Sequence, residues 1–183
     1  MRGKGWRTGL AMELLLLLAV GAQVTAAQAP VMTATAELKN AAGDVVGRAR
    51  MDQTPTGVLI TLSTSQLPDG IHAFHVHETG VCTAPTFASA GGHFNPGQRE
   101  HGFLSARGPH AGDMPNVHVD PTGAVQMELF LSGVTLSSGA NALLDRDGAA
   151  LVLHAGADDY TSQPAGDAGA RIACGVVVAD KAP

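Results

Sequence analysis

Alternation of apolar and polar residues is the strongest pattern along this chain. Apolar side chains occupy every second position from Val125 to Leu131, and the segment from Val58 to Thr64 repeats the pattern. A period of two is typical of a β-strand with one buried face. Less regular versions of the pattern predict further strands at 32–40, 45–52, 70–78, 115–119, 149–154 and 171–179.

Turn-forming residues separate the predicted strands, as at Pro68 to Gly70 and at Asp147-Gly148. The sequence shows no convincing helical periodicity and no internal repeat. About eight short strands joined by turns favour an all-β sandwich or barrel. Two glycine-rich connections, at 79–114 and 155–170, are much longer than ordinary turns, and histidines lie in or beside both. Such long connections in a compact β domain are usually functional or disordered.

The N-terminal segment has the layout of a secretory signal. Arg2, Lys4 and Arg7 precede an apolar run from Leu14 to Val20, and small residues follow that run. The apolar run is shorter than the roughly 20 residues that span a bilayer. We therefore predict a signal peptide at 1–27, cleaved after Ala27 or one residue earlier, and one domain at 28–183. A buried N-terminal helix is the alternative.

Composition narrows the possible partners. The 183 residues carry a formal charge of −5, and aromatic residues make up only 4%. Loss of residues 1–27 would leave eight basic and fifteen acidic residues, a net charge of −7. Neither the charge nor the aromatic content suits nucleic-acid binding. We expect no nucleic-acid partner and no membrane span.

The chain contains two cysteines, Cys82 and Cys174. Export would expose both to an oxidising compartment, where they can pair, since no third cysteine competes. A disulfide closing a loop of about 90 residues contributes roughly 4–5 kcal/mol of stability in the chain-entropy model. The alternative is a pair of free thiols.

His75 and His77 project from the same face of the predicted strand at 70–78, because strand side chains alternate. Phe74 and Val76 then face the core, so the two imidazoles point away from it. Two such rings, with backbone origins about 6–7 Å apart, can bind one metal ion. A solvated strand face is the alternative. His72 lies on the core-side face, where we expect a hydrogen-bonded structural role.

The first long connection carries His93, His101, His110 and Asp113. Three imidazoles and one carboxylate can complete a closed, four-coordinate zinc site, although loops also accumulate spare histidines. His154 ends the apolar run from Ala149 and is a further candidate ligand beside His75 and His77. A site built only from imidazoles suits Cu(II).

Six segments together resemble the copper,zinc superoxide dismutases, in order and approximate spacing, over about residues 32–179. These segments are Gly70-Ile-His-Ala-Phe-His-Val-His-Glu, Gly91-Gly-His-Phe-Asn-Pro, His101-Gly, His110-Ala-Gly-Asp-Met-Pro-Asn, Leu151-Val-Leu-His-Ala-Gly-Ala-Asp-Asp and Gly169-Ala-Arg-Ile-Ala-Cys-Gly-Val.

The resemblance implies an eight-stranded Greek-key sandwich or barrel with two long functional loops. It also implies one copper and one zinc ion per subunit. The implied copper ligands are His75, His77, His93 and His154; the implied zinc ligands are His93, His101, His110 and Asp113. His93 would bridge the two metals. Arg171 would guide the anion and take part in catalysis with His93. Asp158 would support the ligands, and Cys82 and Cys174 would form a disulfide.

The implied activity is dismutation of superoxide to dioxygen and hydrogen peroxide, which would make the chain an oxidoreductase. A non-catalytic copper-handling or zinc-stabilised binding domain of the same fold is the alternative. The predicted signal peptide indicates a periplasmic or extracellular location, and the sequence leaves open whether the protein is a homodimer or a monomer. Two features depart from the animal-type pattern: ten residues separate Cys82 from His93, and the connection at 155–170 contains no Lys or Arg.

Overall fold

A computed structural model describes residues 32–181. The predicted signal peptide at 1–27 lies outside these residues. Ten strands are present, and the only helical segment of residues 32–181 is one 3₁₀ turn, Ala88–Ala90. The strands are β1 (Thr33–Asn40), β2 (Val45–Thr54), β3 (Gly57–Thr64), β4 (Gly70–His72), β5 (Phe74–His77), β6 (Val117–Val119), β7 (Val125–Ser132), β8 (Ala150–His154), β9 (Arg171–Val176) and β10 (Val178–Ala179).

Eight strands form one antiparallel sheet with the order β5-β8-β9-β1-β2-β3-β7, in which β10 also pairs with β1. The remaining two, β4 and β6, form a small second sheet. Some strands that are distant in the sequence are neighbours in the sheet: β7 lies beside β3, and β9 lies beside β1. Long connections therefore carry the chain between them, as in a Greek key. The predicted all-β fold is confirmed.

Two predicted strands are each divided in the structure. The segment 70–78 breaks at Ala73, because β4 pairs with β6 whereas β5 pairs with β8. Ala73 donates its N–H to the Gly156 carbonyl and accepts the N–H of His154, so it ties the strand change to the second long connection. The segment 171–179 breaks similarly at Val177, whose N–H bonds to Ala149.

A single large apolar core fills the space inside the curved sheet. Alternate residues of β1, β2 and β3 enter it, and β5 contributes Phe74 and Val76, both fully buried. A smaller cluster around Phe87 and Cys174 packs the first long connection onto β8 and β9. No helix within residues 32–181 has the length and apolarity needed to cross a bilayer.

Candidate metal centre

Strand β5 places His75 and His77 on the face opposite Phe74 and Val76, as the alternation predicts. This face does not meet solvent: His75 is 0% exposed and His77 is 1% exposed. The two long connections cover it. Bridge pairings join His75 to Asp113 and His77 to His93, so the first connection lies directly along β5. The alternative of a solvated strand face is therefore wrong.

His154 joins this face from the neighbouring strand. Strand β8 pairs antiparallel with β5, and His154 ends it. Nε2 of His154 lies 3.4 Å from Nε2 of His77. The ring of His93 lies 4.0 Å from that of His75, measured between centroids. One nitrogen from each of four buried imidazoles therefore lies within 4.8 Å of the others: His75, His77, His93 and His154.

A second cluster shares His93 with the first. Nδ1 of His93 lies 2.9 Å from Oδ1 of Asp113 and 3.4 Å from Nδ1 of His110. Nδ1 of His101 lies 3.2 Å from the other oxygen of Asp113. The donor atoms of these four buried residues again lie within 4.8 Å of one another.

The donor atoms of both clusters fit metal ions. Ligands at about 2.0–2.1 Å around a tetrahedral zinc ion lie about 3.3 Å apart, close to the 3.2–3.4 Å separations of several donor pairs. Within residues 32–181, three buried ring nitrogens of the clusters lack a hydrogen-bond partner: His75 Nδ1, His93 Nε2 and His101 Nδ1. An unpaired buried nitrogen is costly, so a bound ion explains all three.

Asp158 supports both clusters at once. Its Oδ2 lies 2.8 Å from Nε2 of His75, and its Oδ1 lies 2.9 Å from Nε2 of His101. Each ring thus directs its unpaired Nδ1 toward its own cluster. Hydrogen bonds from both rings and from the Tyr160 N–H lower the pKa of Asp158, although burial opposes them. The carboxylate therefore stays charged, as a partner of metal-bound imidazoles requires.

Asn116 and Tyr160 hold Asp158 in place, and we did not predict a role for either. The Asn116 amide donates to the Asp158 carbonyl at 2.9 Å and accepts the Asp158 N–H at 2.8 Å. The Tyr160 hydroxyl accepts the Asn116 N–H at 2.8 Å. The sequence signal for Asn116 was its position at the end of the segment that begins at His110. Tyr160 is a single tyrosine in a loop, and no sequence pattern identifies it.

Arg171 projects from the start of β9 toward the first long connection. Its guanidinium donates to the carbonyls of Phe87 and Gly91, both at 2.6 Å. Burial lowers the pKa of Arg171 from its usual value, but an arginine stays charged at neutral pH. Cys82 and Cys174 form the predicted disulfide, with Cα atoms 5.7 Å apart. The disulfide therefore ties the connection that carries both carbonyls to the strand that carries Arg171.

Arg171 lines one cleft of about 380 Å³ together with His77, His93, His154 and Pro164 of the second connection. His77 and His154 are neutral in the metal-free protein, because burial lowers the pKa of His77 to about 2 and that of His154 to about 3. Burial also lowers the pKa of His93 to about 4. Metals bind neutral imidazole, so these rings are ready to coordinate. A larger groove, about 580 Å³, flanks the disulfide and contains no histidine.

Hydrogen bonds set Asp113 apart from an ordinary carboxyl. Burial by itself raises its pKa, but bonds from His110, His93 and the Gly102 N–H outweigh burial and hold the pKa well below its usual range. The group is thus an anionic candidate ligand at neutral pH. This charge favours a divalent cation on its side of His93.

Two further histidines lie outside both clusters. His72 is buried, and its ring nitrogens lie 2.9 Å from the His154 carbonyl and 3.0 Å from the Pro68 carbonyl. Its predicted structural role is confirmed. His118 is exposed on β6.

Comparison with known proteins agrees with this geometry. The family described as copper/zinc superoxide dismutase (SODC) matches residues 45–177. "Superoxide dismutase [Cu-Zn] 2" of Aquifex aeolicus is 51% identical over 148 residues, which are 80% of this chain and 86% of the relative.

Two solved structures share the fold. A SOD-like protein from Bacillus subtilis superposes with a TM-score of 0.76 at 39% identity, covering 79% of this chain and 97% of that one. The Cu/Zn superoxide dismutase from Brucella abortus superposes with a TM-score of 0.66 at 28% identity, covering 80% and 99%.

Proposed function

Because the chain belongs to the copper/zinc superoxide dismutase family, we propose that its two histidine clusters form the catalytic centre for superoxide dismutation. One superoxide is oxidised to dioxygen, and a second is reduced and takes up two protons to give hydrogen peroxide. The chain is thus an oxidoreductase that uses one copper and one zinc ion. The observation that carries the assignment is the His93 ring, whose two nitrogens face different clusters.

Each cluster suits a different metal. The set of four imidazoles (His75, His77, His93 and His154) would hold copper, since an all-nitrogen site suits Cu(II). The set with a carboxylate (His93, His101, His110 and Asp113) would hold zinc in a closed, four-coordinate site. When bound, copper supplies one-electron chemistry by alternating between Cu(II) and Cu(I).

His93 is the residue that moves a proton. Its Nδ1 lies among the zinc-side donors, 2.9 Å from Oδ1 of Asp113, so a zinc ion held there would keep the ring in place whatever happens at Nε2. Nε2 has no partner among the described residues, and the ring lines the cleft. It can therefore accept a proton at Nε2 and deliver it to the reduced substrate without a change in position. Water in the cleft supplies the second proton.

Arg171 attracts and orients the substrate. Superoxide is an anion entering a protein with a net negative charge, so a local positive potential is required. The guanidinium lies in the same cleft as His77 and His154, and two carbonyl contacts fix it. The second connection contributes no basic side chain, which leaves Arg171 as the basic residue lining this cleft among residues 32–181.

Metal content and activity, measured on one preparation, test the proposal. Protein processed after Ala27 is loaded with zinc alone or with zinc and copper, and superoxide consumption is followed. We expect one zinc and one copper per chain, and activity only after copper loading. A chain that binds zinc but no copper would support the binding-domain alternative, which the complete set of copper-side histidines disfavours.

We also propose that the protein is exported to the periplasm or beyond the cell. A disulfide between Cys82 and Cys174 is consistent with an oxidising compartment. N-terminal sequencing of the mature protein tests cleavage after Ala27, and light scattering distinguishes a homodimer from a monomer.

A further inference from the structure

One backbone carbonyl contacts two functional side chains at once. The carbonyl of Gly91 accepts hydrogen bonds from Nδ1 of His77, at 3.0 Å, and from Nη2 of Arg171, at 2.6 Å. The first contact directs Nε2 of His77 into the copper-side cluster. The second aims the guanidinium into the cleft. The position of Gly91 therefore sets both a proposed ligand and the proposed anion guide.

Glu78 holds this carbonyl in place. Its carboxylate Oε1 accepts the N–H of Gly92 at 3.0 Å, and its own N–H donates to the carbonyl of Gly92, also at 3.0 Å. Gly91 has a φ of +74°, and a Cβ atom at that position would meet Cγ and Oε1 of Glu78 at 2.8 Å. The Glu78 side chain thus packs directly on the Gly91-Gly92 peptide.

The Glu78 carboxylate also places a negative charge in the cleft that an anionic substrate would enter. It lines the same cleft as His77, His154 and Arg171, and it is exposed. A carboxylate there repels superoxide and partly offsets the attraction of Arg171. Its hydrogen bond and its charge therefore have opposite effects on anion binding.

We propose that Glu78 is a positioning residue of the anion site, which acts through the Gly91 carbonyl on His77 and Arg171. The carboxylate orders these two side chains and, by its charge, weakens anion attraction. This inference rests on the proposed function, since it requires copper at His77.

Two substitutions separate the effects. Glu78→Gln keeps an oxygen that can accept the Gly92 N–H but removes the charge, whereas Glu78→Ala removes both. Azide is the probe, titrated into the copper- and zinc-loaded proteins and followed by visible absorbance. Copper electron paramagnetic resonance reports on the His77 ring independently of activity. Glu128→Gln, an exposed carboxylate on the distant strand β7, is the matched control for loss of one charge.

For Glu78→Gln we expect azide to bind about threefold more tightly, with an unchanged resonance spectrum. For Glu78→Ala we expect azide to bind about fivefold more weakly despite the lost charge, with an altered spectrum. Glu128→Gln should resemble the unmodified protein. Tighter azide binding by the alanine variant, or equal azide affinities and spectra for both variants, would overturn the positioning role. Failure of the unmodified protein to bind copper would instead refute the proposed function.

Discussion

Nδ1 of His93 lies 2.9 Å from Oδ1 of Asp113, while the opposite nitrogen, Nε2, is buried without a partner and the ring is also a member of the four-imidazole cluster. The ring belongs to both clusters, whereas every other ligand candidate belongs to one. Loss of any ligand other than His93 should therefore leave the other side occupied. This independence is directly testable.

Substitution of His154 by alanine tests the copper side alone. Because His154 belongs only to the four-imidazole cluster, we expect His154→Ala to retain zinc, to bind copper weakly and to lose most of its activity, about 100-fold or more. Metal analysis and superoxide consumption check both expectations. His118→Ala, which removes an exposed imidazole, should behave like the unmodified protein. Equal loss of both metals would contradict the separation.

Asp158→Asn tests the support shared by the clusters. The carboxylate accepts from both His75 and His101, but an amide presents only one acceptor oxygen and turns its NH₂ group toward the other ring. We expect a loss of about 10- to 100-fold in affinity for at least one metal, measured by chelator competition. Asp159→Asn is the control, since that exposed carboxylate bonds to Ser162 and Thr161 only. If Asp158→Asn has unchanged affinities for both metals, the Asp158 carboxylate stabilises the loop only and does not support the metal ligands.

The strand-borne part of the centre was predictable from local pattern. His75 and His77 share a face because a strand alternates, and His154 ends an apolar run that pairs with theirs. Burial of that face was not predictable, because it depends on long connections with no periodicity. The break at Ala73 was missed for a related reason: a change of pairing partner leaves no mark in the alternation.

The functional residues on the loops differ in how clearly the local sequence identifies them. His93, His101 and Asp113 have ligand chemistry that marks them, and the resemblance to a family supplied their order. Asn116 and Glu78 act through hydrogen bonds to backbone groups of residues distant in sequence. Both residues end segments that carry the family resemblance, but their contacts exist only once the fold has formed, so composition and spacing do not reveal which groups they bind.

Arg171→Ala should slow the reaction without loss of metal, because the guanidinium contacts carbonyls and no proposed ligand atom. We expect kcat/KM to fall about tenfold and to depend less on ionic strength, since a screened attraction has been removed. Arg48→Ala is the control: Arg48 pairs with Glu37 on the outer surface of β2 and β1. An unchanged ionic-strength dependence in Arg171→Ala would place the steering charge elsewhere.

The metal-free protein should lose stability as the pH falls below about 6.5. In the folded state the pKa of His77 is about 2, that of His154 about 3 and that of His93 about 4, whereas each is near 6.5 when unfolded. Below pH 6.5 the unfolded chain therefore binds more protons. Its free energy of unfolding should fall by about 1.4 kcal/mol per pH unit for each ring, down to that ring's folded pKa.

Denaturant unfolding of the metal-free protein between pH 7.5 and 5 measures this dependence. Bound metal also keeps the folded rings neutral, while the unfolded chain still takes up protons below pH 6.5. The copper- and zinc-loaded protein should therefore be more stable at every pH and should show at least as large a decrease over this range. If the metal-free protein has the same free energy of unfolding from pH 7.5 to 5, these imidazoles protonate as readily in the folded protein as in the unfolded chain.

The disulfide should contribute to stability and to catalysis by separate routes. It links residues 92 apart in sequence, so its removal should lower the free energy of unfolding by roughly 4–5 kcal/mol in the chain-entropy model. It also anchors the connection whose Phe87 carbonyl holds Arg171. The double substitution Cys82→Ala and Cys174→Ala should therefore reduce kcat/KM even under conditions in which the protein is fully folded and metal-loaded.

Chemical reduction of the unmodified protein distinguishes the lost cross-link from lost packing. Cys174 is buried against Phe87 and Val152, so the alanine substitutions also remove apolar contacts, whereas reduction keeps both sulfur atoms. If the cross-link is responsible, reduced protein and double variant should lose similar stability and similar kcat/KM while keeping both metals. Reduced protein with full kcat/KM would show that packing of the Phe87 cluster alone fixes the Arg171 carbonyls.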